Sequence, residues 1–232
     1  MTDLVFHGGG HCQSLSVIRS SRARQMRLAV DPRDGAVKLT LPKRAPLGTA
    51  LKWAETKRSW IETQLEKLPK AVSIGNATVL RVADRDLMID WHETHPRNPV
   101  MVDDRLRVGG PLDRLSSRVI RWLQREAKAL LEAETHQMAA KIAVRVGKVG
   151  VGDPVSRWGS CASSGDIRYS WRLILAPTFV RRATVAHEVA HLVHMNHAPA
   201  FHALVADVLG EDPTPARRWL RAHGTSLHWF GR

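Results

Sequence analysis

Two cysteines among 232 residues, Cys12 and Cys161, are too few for a disulfide framework and point to a reducing compartment, the cytoplasm. No apolar run approaches the roughly 18 residues that a membrane-spanning helix needs. The opening stretch MTDLVFHGGGHCQ lacks the basic start, apolar core and small-residue cleavage site of a secretory signal, so none is expected. Internal repeats and low-complexity segments are also missing. These absences exclude collagen, coiled coil, membrane protein and secreted mini-protein. What is present is ordinary for a soluble globular chain: 44% hydrophobic and 25% charged residues. Lys and Arg number 35 against 22 Asp and Glu, a formal net charge of +13. The excess leans towards the N-terminal third, where Arg19, Arg22, Arg24 and Arg27 fall close together. Such a balance serves most often as a solvated face, and it also permits a nucleic-acid partner.

Residues 1–13, with glycines at Gly8, Gly9 and Gly10, read as a flexible tail. A strand-rich region with one helix is expected over 14–110. Met26, Leu28 and Val30 alternate, the turn sequence DPRDG follows, and Val37, Leu39 and Leu41 alternate again, which predicts a hairpin. Leu51, Ala54, Ile61, Leu65 and Leu68 recur at helical spacing over 47–68. Residues 77–109 return to short alternating runs and predict a second set of strands. From 111 the texture turns helical, first through Leu115, Val119, Trp122, Leu123, Leu130 and Leu131. Short strands are expected near 148–151 and 167–174, then helices near 178–195, 199–209 and 214–223. Gly210 and Gly224 sit where C-terminal caps belong. The fold class is α+β, strands first and helices second.

The stretch HEVAHLVHMNHAPAFH, His187 to His202, holds five of the twelve histidines. His187 and His191 are four residues apart, which puts both imidazoles on one helix face within reach of a single Zn²⁺. Glu188 is aimed to reach a zinc-bound water, take its proton as it attacks a carbonyl, and pass that proton to the leaving amine. Against this stand a helix that merely carries histidines and a purely structural zinc; the latter is usually closed by cysteines and leaves Glu188 without a role. A third ligand is needed. His197 is favoured if the helix ends near Met195-Asn196, with Asn196 in a left-handed conformation and Pro199 restarting helix. Glu211 is a rival as the only downstream glutamate, and His194 and His202 are others. On a continuing helix His194 lies about 10 Å along the axis from His187, too far for easy sharing of one ion. The spacing HExxHxxHxxH is that of metzincins, but His194 occupies their glycine position and no methionine follows Met195 to form their Met-turn.

The run SRWGSCASSGDIRYSWRLILAP (156–177), followed by HEVAHL and NHAPAF, closely resembles the YgjP-like metallopeptidase family, which is grouped with SprT-like and WLM-type zincins. The Arg-rich first hairpin, KRSWIETQL (57–65), RVIRWLQREAKALL (118–131) and ARRWLRAHG (216–224) extend the resemblance to about residues 15–225. It implies a zincin-like catalytic domain over 111–232, His187, His191 and His197 as zinc ligands, and Glu188 as the catalytic carboxylate. The expected activity is zinc-dependent hydrolysis of peptide bonds in a peptide or protein substrate, with one Zn²⁺ per chain. The alternative is a basic nucleic-acid-associated protein with a zincin fold, including a DNA-linked protease of SprT-like type by analogy.

RWGSC offers further candidates. A strand beside the zinc can present its edge to an extended peptide. Arg157, Tyr169 and Arg172 are candidate substrate contacts, Arg157 for a carboxylate or the developing oxyanion and Tyr169 as an oxyanion donor. Trp158, Trp171 and Cys161 are better explained as core residues, and His202 as a neighbour of the site.

Overall fold

The computed structural model describes residues 4–232; residues 1–3, part of the expected tail, lie outside the described residues. The chain divides into two compact units between Ala71 and Val72.

In the first unit β1 (Val5–Gly8), β2 (His11–Ser20), β3 (Arg27–Val30) and β4 (Val37–Pro42) form a sheet in the order β1-β2-β4-β3. The central pair is parallel and the outer pairs antiparallel, including the expected β3–β4 hairpin. Residues 4–13 are therefore not a loose tail. Gly9 and Gly10 take φ of 59° and 83°, the geometry of a two-residue hairpin turn whose twist matches its strands and which glycine adopts without a Cβ clash. Val37, Leu39 and Leu41 alternate onto the buried face of β4. They pack against Ala50 and Ala54 of α1 (Leu47–Thr56) and Ile61 and Leu65 of α2 (Arg58–Glu66). The single helix expected over 47–68 is interrupted at Lys57, where φ −100° and ψ 10° leave the helical range. Asp31 closes the β3–β4 turn; its bonds from Arg33 at 2.8 Å and Lys38 at 3.1 Å hold its carboxyl well below the usual range.

The second unit begins with β5 (Val79–Val82), β6 (Arg85–Trp91), β7 (Val100–Val102) and β8 (Arg105–Val108). Their order, β5-β6-β8-β7, and their pairing senses repeat those of the first sheet. Leu80, Leu87, Ile89 and Leu106 share one continuous core with Leu115, Val119 and Leu123 of α3 (Leu115–Lys141). This sheet thus belongs with the helices, and the division falls at 71/72 instead of the expected 110/111 because that shared core spans residue 110.

A third sheet, β9 (Val149–Gly152), β10 (Gly159–Cys161) and β11 (Ile167–Ser170), has the order β10-β11-β9 and leaves β10 at its edge. A short 3-10 segment, Trp171–Leu175, leads into α4 (Thr178–Ala190), α5 (Pro199–Leu209) and α6 (Thr214–Leu227). The whole is α+β, as expected. Gly210 caps α5 with φ 83°. Gly224 is not a cap but lies inside α6, where a Cβ would stand 2.9 Å from Trp158 Cζ2, so its bare backbone makes a niche for that indole. Among the described residues no helix is long and apolar enough to cross a membrane.

Helices α3 and α4 are joined by a buried ion pair. Arg181 and Glu134 are 3% and 7% exposed, and the guanidinium donates to both carboxylate oxygens at 3.1 Å. Glu134→Ala leaves that cation buried without its counter-charge and is expected to lower stability by about 3–5 kcal/mol, with most of the loss recovered in the apolar pair Glu134→Leu/Arg181→Met. Urea midpoints measure this; a Glu134→Ala loss of only about 0.5 kcal/mol, the scale of surface changes, contradicts it.

Candidate metal centre

Helix α4 buries Val180, Val185, Val189 and their neighbours, and holds His187 one turn before His191, with ring centroids 4.9 Å apart. The helix stops at Ala190, a turn earlier than the expected Met195. The amides of Leu192 and Val193 donate to the carbonyls of Val189 and Ala190 at 3.0 and 3.1 Å, the three-residue tightening common at helix ends. Asn196 acts through its side chain and not through a left-handed backbone: Oδ1 accepts from the Ala198 amide at 3.2 Å, and Asn196 is not among the positive-φ residues. Pro199 then opens α5 at a first-turn position.

This turn brings His197 back to α4. Its Nε2 lies 3.2 Å from His187 Nε2. One ring nitrogen from each of His187, His191 and His197 falls within 4.8 Å of the others, and no other group of three metal-capable side chains occurs among the described residues. The donor set fits a transition metal. Three imidazoles suit zinc, and three protein ligands leave a coordination position open. Burial, reinforced by the neighbouring His191 and His197, pushes the His187 pKa down to about 4, so the ring is neutral and keeps a lone pair for a metal. His191 Nδ1 lies 2.9 Å from the His194 carbonyl oxygen. A proton on Nδ1 donated there leaves Nε2 free as the ligand atom. His194 therefore contributes backbone, and its ring is outside the three-histidine group. The His202 ring stacks 6.2 Å from His197, and Glu211 lines a separate hollow with Phe179 and Pro215.

Phe201, fully buried in the first turn of α5, forms the base of the group. Its ring centroid lies 4.9, 4.5 and 4.7 Å from those of His187, His191 and His197. The rings are held by packing against that phenyl; His187 and His191 are half-buried and His197 is exposed.

Glu188 is 5% exposed and faces β10. A Cβ at Gly159 would stand 2.6 Å from Glu188 Cγ and closer still to a carboxyl oxygen, so the absence of a side chain there makes room for the carboxyl group. Burial pushes the Glu188 pKa up to about 7, opposed by the Arg157 guanidinium. Glu188, His187 and Arg157 line a cavity of about 290 Å³.

The other two candidate substrate contacts face inward. Tyr169 is fully buried with its hydroxyl 2.9 Å from that of Thr135, and burial raises its pKa further. Arg172 is 6% exposed and stacks 4.6 Å from the Trp171 ring. It donates to Asp153 at 2.7 and 2.9 Å and to the carbonyls of Leu227 and Phe230. Neither lines the cavity, because both are committed to packing within the unit. The Cys161 thiol is half-buried and pushed up by that burial, with Glu188 and Asp166 adding to it, which makes it a poor nucleophile. Gly159 and Phe201 were visible in the quoted motifs, but their roles depend on distances that no spacing encodes.

Gly159→Ala is expected to displace the Glu188 carboxyl while leaving the three imidazoles together. A crystal structure of the variant with Glu188 unmoved contradicts this account of Gly159.

No curated protein and no solved structure matches the chain. The family model described as "YgjP-like, metallopeptidase domain" matches residues 24–223, which takes in the three histidines, Glu188 and both sides of the cavity. With that match over most of its length, the chain belongs to the YgjP-like metallopeptidase family.

Proposed function

We propose that the chain is a zinc-dependent peptidase in which His187, His191 and His197 hold the metal and Glu188 transfers the proton. The observation that carries this reading is the junction of two features: three imidazoles converge on one point, and the buried carboxyl of Glu188 lines the same cavity as His187, one of the three. Zinc, when bound, supplies Lewis-acid polarisation of a carbonyl and a lowered pKa for water. Glu188 accepts the proton of the attacking water on a carboxylate oxygen and returns it to the departing amine as the C–N bond breaks. Arg157 stands near enough to Glu188 to pull on its ionisation and can meet negative charge developing on the substrate. Among the described residues no strand pairs with the outer edge of β10, which suits main-chain pairing with an extended peptide. The free thiols of Cys12 and Cys161 suit a cytoplasmic setting.

Glu188→Gln should keep fold and metal and lose hydrolysis by about 10²–10⁴-fold, the usual weight of a positioned acid–base group. Turnover of casein or a peptide pool at the wild-type rate removes Glu188 from the mechanism.

A second reading concerns the first unit. Arg22, Arg24 and Arg27 are exposed and form no ion pair among the described residues, whereas Arg19 is tied to the carbonyls of Lys43 and Ala45 at 2.8 and 2.9 Å. Unpaired guanidinium groups at this density favour a nucleic-acid phosphate backbone. Binding to a nonspecific DNA duplex is then expected at 50 mM salt, falling steeply by 200 mM. No binding at the lower salt ends this reading.

A further inference from the structure

We infer that the cavity beside Glu188 is a side-chain pocket for the residue flanking the scissile bond, and that it selects an apolar side chain followed by a carboxylate. The inference rests on the peptidase reading for its position in a substrate, but its chemistry comes from the walls.

Carbon surface dominates those walls: the Trp158 indole, Ala183 of α4, Val205 of α5, and Ala216 and Leu220 of α6. The volume of about 290 Å³ exceeds the ~150 Å³ that accepts benzene, so a Leu, Met or Phe side chain fits. Two alanines, Ala183 and Ala216, create the space. The Trp158 wall is fixed, since its indole fits the niche over Gly224 and lies 5.0 Å from the His228 ring. His187 and Glu188 belong to the same lining, so on the peptidase reading a side chain held there lies next to the reacting carbonyl.

The exposed part of the lining carries positive charge. Arg157 and Arg217 both line the cavity, both are exposed, and neither forms an ion pair among the described residues. Glu188 is the one carboxylate in the lining. Two exposed guanidinium groups that close no salt bridge, Arg157 acting at a distance on Glu188 and Arg217 on Asp212, around an apolar pocket match a ligand with an apolar side chain and an adjacent carboxylate. That carboxylate has two sources, an Asp or Glu side chain or the C-terminus of the substrate.

The test uses the full-length zinc-loaded protein, a random octapeptide pool with free or amidated C-termini, and mass spectrometry of the products. One position flanking the cut should favour Leu, Ile, Met or Phe over Gly or Lys by about 10-fold or more. A carboxylate should follow within two residues. Loss of cutting on amidation identifies the C-terminus as its source, and indifference to amidation identifies Asp or Glu. Ala216→Leu should move the preference to Ala or Gly. Arg217→Glu, a surface change that spares the core, should reverse the acidic preference to Lys or Arg. In parallel, Glu188→Gln protein is titrated with N-acetyl-Leu-Asp and N-acetyl-Lys-Asp while amide resonances are followed by NMR. Shifts at Gly159, Ala216 and Leu220 are expected with the leucyl probe alone. If no peptide is cut but those shifts occur, the peptidase reading fails and the pocket stands. If peptides are cut with preferences that neither variant alters, the pocket is overturned and the peptidase reading stands. Neither cutting nor shifts overturns both.

Discussion

The convergence of three imidazoles depends on α4 stopping at Ala190. His187 and His191 share a face by helical periodicity alone, but a continuing helix carries His197 along the axis and around it, away from the other two. The early stop allows a short turn, closed by the Asn196 side chain on the Ala198 amide, to reverse the chain in time. Pro199 then restarts helix with its φ already suited, and Phe201 arrives beneath all three rings. The turn, the restart and the base each have their cause in a side chain, and the outcome is one apolar base supporting three nitrogens that face a common point. Removing a buried phenyl of this kind costs about 3–5 kcal/mol, so the same residue that stabilises the unit also fixes the rings.

The second constraint is the burial of Glu188. Taking a carboxyl out of water raises its proton affinity, which is the direction found here. The position is tolerated because Gly159 on β10 presents no Cβ and because Arg157 adds a compensating charge. Edge strand, glycine, carboxyl and cavity are therefore one assembly. Gly224 of α6 plays the corresponding part for Trp158. In both places a glycine acts through close approach, and neither has a positive φ.

Much of this was legible in the residues. The i, i+4 histidines, the β3–β4 hairpin, the α+β order and Pro199 as a helix start follow from periodicity and turn chemistry. The end of α4 was not legible, because Leu192, Val193, His194 and Met195 are all compatible with helix and no glycine or proline stands between His191 and Asn196. Tyr169 and Arg172 are candidate contacts in sequence, but a strand's alternation does not say which face covers Tyr169, and Arg172, in the 3-10 segment, finds Asp153 nineteen residues away in sequence. Three glycines in a row at 8–10 read as slack in sequence, but Gly9-Gly10 is a hairpin turn. The four-stranded sheet at 79–108 shares its topology with the first sheet without any repeat in sequence, since topology is set by pairing and not by residue identity. Its membership in the helical unit depends on a core assembled from distant segments.

The central claim is that His187, His191 and His197 form one metal site. Elemental analysis of the purified protein, beside His197→Ala and Glu211→Ala, tests it most directly. The account predicts about one zinc per chain in the wild type and in Glu211→Ala, and its loss in His197→Ala. Zinc retained in His197→Ala, or no zinc taken up by the wild type on addition, contradicts it.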